Sequence, residues 1–290
     1  MKNYFILLLS WLLFASWGLV SREINLPLPI LLLIIAFSGF FITLFIKPFG
    51  FISWNKTAFI ISMFLVFDLL FLFIGFRYVN FATVITLHYF APIIVIIVSQ
   101  IIVKEKTNTK DILLSIVGLT GVIVIFFHEL SLTHENTAHL IGLIASLMSS
   151  LTLAGNILYQ RKYMKKQKNY VLAVRQYNFY MFVLYALVLL PLWYIFNSTT
   201  LDVTTFTASN ILKGVVAGII IQGIAMIMFN SSARFIKAKT IAIMSYSEII
   251  WVILLGYICY QEKLYFLQVF GMFLILLVAI KSIIYSYERS

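Results

Sequence analysis

One cysteine in 290 residues, Cys259, excludes an internal disulfide and any metal site built from several thiolates. Its neighbours are apolar, so Cys259 is expected to serve as a small core residue. Charge is scarce too: Asp, Glu, Lys and Arg make up 11% of the chain against 62% hydrophobic residues. A water-soluble domain of this length needs a polar skin that such a composition cannot supply, so the chain belongs in lipid. Also missing are a Gly-rich phosphate loop with Lys, a paired-His metal spacing and a Ser/His/Asp arrangement near one leaflet. No cofactor or metal is expected. The net charge of +11 does not point to nucleic acid, because that partner needs cations gathered on a soluble face and here they sit in short connectors.

What the sequence has in abundance is apolar length. Runs of roughly 17–25 residues, enough to cross a hydrocarbon core, recur from end to end. Read between charged or Pro/Asn punctuation, they predict spans near 4–20, 28–46, 57–76, 79–102, 111–127, 139–160, 174–196, 211–229, 238–260 and 264–285. The fold class is thus an all-α integral membrane protein of about ten helices. The first run follows Lys2 and has the length of a signal peptide, but no small-residue cleavage site precedes Arg22-Glu23, so a retained helix is expected. With the N-terminus inside, 17 of the 21 lysines and arginines fall in inner segments. Only Arg22, Arg77, Lys213 and Lys263 fall outside, so both termini are predicted to be cytoplasmic. The cationic run from Arg161 to Lys168 reads as the strongest topological anchor, with contact to acidic lipid as the alternative.

The two halves carry a repeat. At an offset of 157, Arg77 falls on Arg234, Thr83 on Thr240, Tyr89 on Tyr246, Glu105 on Glu262 and Lys106 on Lys263. A matched set in one register argues for duplication, with residues 1–138 as the first five-helix repeat and 139–290 as the second. Five spans per half is an odd number, so the second copy enters from the opposite side. Inverted repeats of this kind offer two arrangements of similar energy, one open to each face.

The chain resembles the ten-helix EamA-type members of the drug/metabolite transporter superfamily. The residues that carry the likeness are Arg77-Tyr78-Val79 leading into Ala91-Pro92, Glu105, Gly121-Val122, Arg234-Phe235, Ser245-Tyr246-Ser247-Glu248, and Glu262 with Gly271. The resemblance implies a secondary carrier of amino acids or other small metabolites, commonly an exporter, in a bacterial cytoplasmic membrane, with a cavity between the halves and membrane lipid around it. Family members usually follow the second-half Glu with Pro. Here Ile249 takes that place while Pro92 is kept, so a broken helix is expected in the first copy and not in the second. Import of a nucleotide-derived cofactor, and a membrane-embedded lipid-modifying enzyme, stand as the other readings.

Of ten carboxylates, only Asp68 and Glu248 lie deep inside a span. A charge at the bilayer centre costs about 2.5–3.5 kcal/mol on insertion scales, so such an acid normally faces a wet cavity or a partner. Both are candidates for binding substrate or a coupling proton, with structural hydrogen bonding as the alternative. Ser245 lies one turn before Glu248 and is expected on its face, as is Gly256 two turns beyond. Asp68 has no cation within a turn, and His88 is the nearest sensible partner. His88, Tyr89 and Pro92 cluster at a predicted kink, since Pro removes a donor from the helix ladder. Gln222, Asn156, Tyr246, Asn230, Trp17 and Trp251 are further polar or aromatic groups in apolar surroundings, either ligand contacts or interhelical glue. His128, His134 and His139 gather with Glu129 and Glu135 in a connector that reads as a solvated loop, and Asn197-Ser198-Thr199 is a formal glycosylation sequon.

Overall fold

The computed structural model describes residues 1–47, 53–127, 137–167, 169–191 and 205–287. Every regular element among them is helical. In chain order these are α1 (Lys2–Ala15), α2 (Trp17–Glu23), α3 (Leu28–Ile46), α4 (Lys56–Tyr78), α5 (Phe81–His88), α6 (Ala91–Ile102), α7 (Thr109–Ile125) and α8 (Thr137–Met164). Then come α9 (Tyr170–Leu184) with a wider π turn (Tyr185–Leu189), and α10 (Ala208–Gly218) joined by a second π turn (Ile219–Ala225) to α11 (Met226–Ala233). The chain ends with α12 (Ala238–Ser245), α13 (Ser247–Tyr260) and α14 (Phe266–Tyr287). His128, Glu129, His134, Glu135, Asn197, Ser198, Thr199, Asp202 and Glu288 lie outside the described residues.

Short polar side chains fix where several rods begin. Asn55, Asn80 and Asn169 accept the N–H of Ala58, Thr83 and Leu172 at 2.9–3.1 Å, and Thr207 accepts that of Asn210 at 3.2 Å. Asn108 and Asp111 form a reciprocal capping box at the start of α7. Such caps satisfy the first N–H groups of a helix, which have no partner of their own.

Among the described residues, eight helical segments are long and apolar enough to cross a membrane: Leu28–Ile46, Lys56–Tyr78, Phe81–Ile102, Thr137–Met164, Tyr170–Val188, Ala208–Ala233, Ala238–Tyr260 and Phe266–Ser286. Two of the ten expected spans fall on shorter helices. The first is split at Ser16, whose hydroxyl donates to the Leu13 carbonyl at 2.6 Å, leaving α1 with 14 residues. The other, α7, has 17 residues. Phe45, Ile101, Leu187 and Phe266 stand exposed on the outside of the bundle, where an apolar surface suits lipid. Cys259 is exposed as well, which corrects its expected place in the core. In a rod surrounded by lipid an apolar run marks the outside as readily as the inside.

The packing crosses between the two halves. The first helix, α1, lies against α11 and α13, while α8 lies against α4, α5 and α6. α3 packs along α9, α6 meets α12, and α14 runs along α7. Gly121 and Gly271 let the last pair approach: a Cβ built on Gly271 would sit 2.5 Å from the Gly121 carbonyl oxygen and 2.6 Å from Ile125 Cγ1. Backbone cannot yield as a flexible side chain can. Gly271→Ala is therefore expected to cost about 1–3 kcal/mol, read as a lowered melting temperature in detergent; an unchanged melting point would show that α7 and α14 separate freely.

Two rods are interrupted at matched positions. α5 ends at His88 and α6 starts at Ala91 with Pro92 in its first turn, so the break falls on Tyr89-Phe90. The corresponding rod of the second half, where no break is expected, is interrupted at Tyr246 between α12 and α13. Proline is not required there because serines do comparable work. The Ser245 hydroxyl donates to the Ala242 carbonyl and that of Ser247 to the Met244 carbonyl, both at 2.7 Å. Hydroxyls bonded back to the preceding turn compete with the helix ladder and bend it.

Candidate functional site

A cavity of about 140 Å³ lies between the halves. Its wall takes Trp11 and Phe14 from α1, Trp17 from α2, Asp68 from α4, His88 from α5, and Asn156 and Gln160 from α8. Gln222 of the second π turn, Phe229 of α11 and Glu248 of α13 complete the polar and aromatic part. The π turn is a local widening of the ladder of the kind often found at functional sites. It is braced from behind, where Asn178 Nδ2 donates to the Gln222 carbonyl at 2.8 Å and Gly39 leaves room for the Gln222 Cβ.

Each carboxylate has one side-chain donor in reach. Thr152 Oγ1 lies 3.2 Å from Asp68 Oδ1, but its single proton also has the Ser149 carbonyl at 2.9 Å and the Met148 carbonyl at 3.2 Å. His88 Nδ1 stands 3.7 Å from the same Asp68 oxygen and 2.9 Å from Ser149 Oγ. Since the Ser149 hydroxyl donates to the Ser146 carbonyl at 2.7 Å, its oxygen accepts, which assigns the proton to His88 Nδ1. Glu248 Oε2 accepts from the Tyr89 hydroxyl at 3.1 Å. A carboxylate offers about four lone-pair sites, so both acids keep unused acceptor capacity.

The amides add more. Gln160 Nε2 donates to Asn156 Oδ1 at 2.5 Å, which leaves Gln160 Oε1 buried without a partner, and Gln222 Oε1 is in the same condition. Also in the lining, Trp11, Phe14 and Phe229 form a mutual cluster, with ring centroids 5.5–6.2 Å apart. Trp11 Nε1 is also buried without a partner.

Of the sequence candidates, the cavity brings together Asp68, Glu248, His88, Asn156, Gln222 and Trp17. Tyr89 stands behind Glu248 as its donor. Tyr246 points elsewhere: its hydroxyl donates to the Ser115 carbonyl at 3.1 Å, and its ring fills the space that a side chain at Gly118 would need. The two tyrosines at the helix breaks nevertheless touch, with centroids 6.0 Å apart. Ser245 is not among the residues that line the cavity, and its hydroxyl donates to the Ala242 carbonyl at 2.7 Å. Gly256 lies far along α13, where its missing Cβ makes room for the Glu262 carboxylate. Trp251 packs against the main core, and Asn230 donates to the Met226 carbonyl at 2.8 Å. Sequence reasoning missed Gln160, Trp11, Phe14 and Phe229, since rings in apolar runs carry no mark of which way they face.

Two ion-pair systems sit away from the cavity. In one, Arg161 of α8 donates through Nε to Glu105 Oε1 at 2.9 Å and through Nη1 to the Ala233 and Arg234 carbonyls at 2.7 and 2.6 Å. Glu105 Oε2 also accepts the Ala238 N–H at 2.7 Å, and Lys239 pairs with Asp111 at 2.5 Å beside it. The Arg161 and Glu105 side chains are only 7% and 5% exposed. Glu105 and Asp111 are thus buried where helix ends meet. In the other system Arg22 pairs with Glu262, 52% and 46% exposed, and Glu23 with Lys213 at 3.3 Å. Hydrogen bonds from Lys213 and Tyr260 hold the Glu23 carboxyl below its usual range. A hollow of about 660 Å³ opens beside Arg22, Tyr260 and Glu262.

Residues 140–283 match the family model of the EamA-like transporter family. No curated protein matches the sequence. A solved structure titled "Crystal structure of protein" superposes with a TM-score of 0.79, covering 96% of this chain and 97% of its own at 16% identity, which shows a shared fold. By its residues 140–283, the chain belongs to the EamA-like transporter family.

Proposed function

We propose that the protein is a secondary carrier that exports a small metabolite across a bacterial cytoplasmic membrane by alternating access, with Asp68 and Glu248 as its binding and proton-coupling groups. The observation that carries this reading is the cavity, which holds both mid-span acids between helices of the two halves. Two inverted repeats, 1–138 and 139–290, account for the exchange of contacts: the first rod of each half packs on the third and fourth rods of the other. They account for the ion pairs as well. Arg161 near the end of the first rod of one half meets Glu105 after the fourth rod of the other, and Arg22 meets Glu262 in the reciprocal places. One such latch per face is what a two-state carrier needs if each open form is held by closing the opposite end.

Reconstitution in liposomes tests this. Preloaded with unlabelled amino acids, amines or nucleosides in turn, vesicles containing the protein are expected to accumulate at least one labelled counterpart by saturable counterflow. Accumulation no greater than in empty vesicles across that panel would sink the carrier reading.

A further inference from the structure

Resting on that reading, we infer that the cavity between α1, α4, α8 and α13 selects an organic cation, an amine with a compact aromatic or apolar body, over an amino acid or an anion. Two carboxylates line the cavity, and among the described residues neither lysine nor arginine does. The buried arginines are engaged elsewhere, Arg161 with Glu105 and Arg175 with the Thr43 carbonyl at 2.8 Å. An amino acid brought into this space would set its own carboxylate beside two others with no cation to receive it, and like charges in a water-poor site repel strongly.

Trp11 Nε1 is a single unmet donor in this wall, but the two amide oxygens outnumber it and point the same way as the acids. Gln160 and Gln222, 1% and 4% exposed, each present a buried carbonyl oxygen without a donor. With the spare lone pairs of Asp68 and Glu248 they make a wall that needs N–H groups. An ammonium carries three donors and no acceptor, which is the complement of that wall. An unmet buried acceptor costs about 1–3 kcal/mol, so a ligand that satisfies these oxygens is favoured over one that adds more acceptors.

The aromatic part of the lining fixes the rest of the molecule. Trp11, Phe14 and Phe229 offer ring faces and edges, suited to an apolar body and to a cation held against aromatic surface. The volume, about 140 Å³, is close to the roughly 150 Å³ that accommodates a benzene ring. One ring with a short aminoalkyl tail therefore matches both walls.

The test uses three probes with one body and different charge: phenethylamine, phenylalanine and 3-phenylpropionate. Binding to the purified full-length protein is followed by thermal shift and by quenching of tryptophan emission. Phenethylamine is expected to raise the melting point and to bind at least tenfold more tightly than phenylalanine, with 3-phenylpropionate inert. Asp68→Asn and Glu248→Gln are expected to weaken phenethylamine at least tenfold. Tighter binding of phenylalanine or 3-phenylpropionate, no binding of phenethylamine, or full phenethylamine affinity in Glu248→Gln each overturns the inference. Counterflow of an amino acid in a protein that ignores phenethylamine would keep the carrier and remove the cation preference; tight phenethylamine binding without any counterflow would do the reverse.

Discussion

Glu105→Ala is expected to lower stability by about 3–5 kcal/mol, the cost of leaving a buried charge without its partner. The Arg161 guanidinium would keep its two carbonyl acceptors at Ala233 and Arg234 but lose its counter-charge in a site where it is 7% exposed. The Ala238 N–H would lose its acceptor at the start of α12. Glu262→Ala, at the reciprocal position, is the control. Its partner Arg22 is half-exposed, and an exposed pair is worth about 0–1 kcal/mol. Melting temperatures of the two variants in the same detergent should differ by many degrees. Equal and small losses would mean that the Arg161 end is solvated and seals nothing.

The second large effect concerns transport. Asp68→Asn and Glu248→Gln should each reduce counterflow by about 10–100-fold, the equivalent of a charge-assisted hydrogen bond worth roughly 1.5–3 kcal/mol. The amides keep the shape of the acids and can still meet Thr152 and Tyr89, the present donors. What they remove is the negative charge. Folding should survive, because taking an unpaired charge out of an apolar interior relieves a desolvation cost. Normal melting with lost counterflow supports a direct role, whereas wild-type counterflow in both variants would assign the two acids to packing.

Much of the fold can be read from apolar length and polar punctuation. The runs between Asn55, Asn80, Asn108 and Asn169 become α4, α5–α6, α7 and, after the residues outside the description, α8 and α9, because Asn both caps a helix and interrupts hydrophobicity. Asp68 and His88 come together as their chemistry suggested. The break at Tyr246 was hidden because its agents, Ser245 and Ser247, are unremarkable within helices until their hydroxyls turn back on the ladder. Arg161 looked like one more anchor in a cationic run. Its burial depends on Glu105, 56 residues away, a separation that local pattern does not register.

The contact between Tyr89 and Tyr246 gives the two interrupted rods a common bearing. A helix flexes most cheaply where its ladder is already open, and here the rings of both open points lie 6.0 Å apart, one of them also holding Glu248. Swinging either rod about its own joint displaces the ring that supports the other. In a carrier that moves these rods, the pair would act as one pivot with two arms, and whatever occupied the carboxylate beside it would bear on both arms at once.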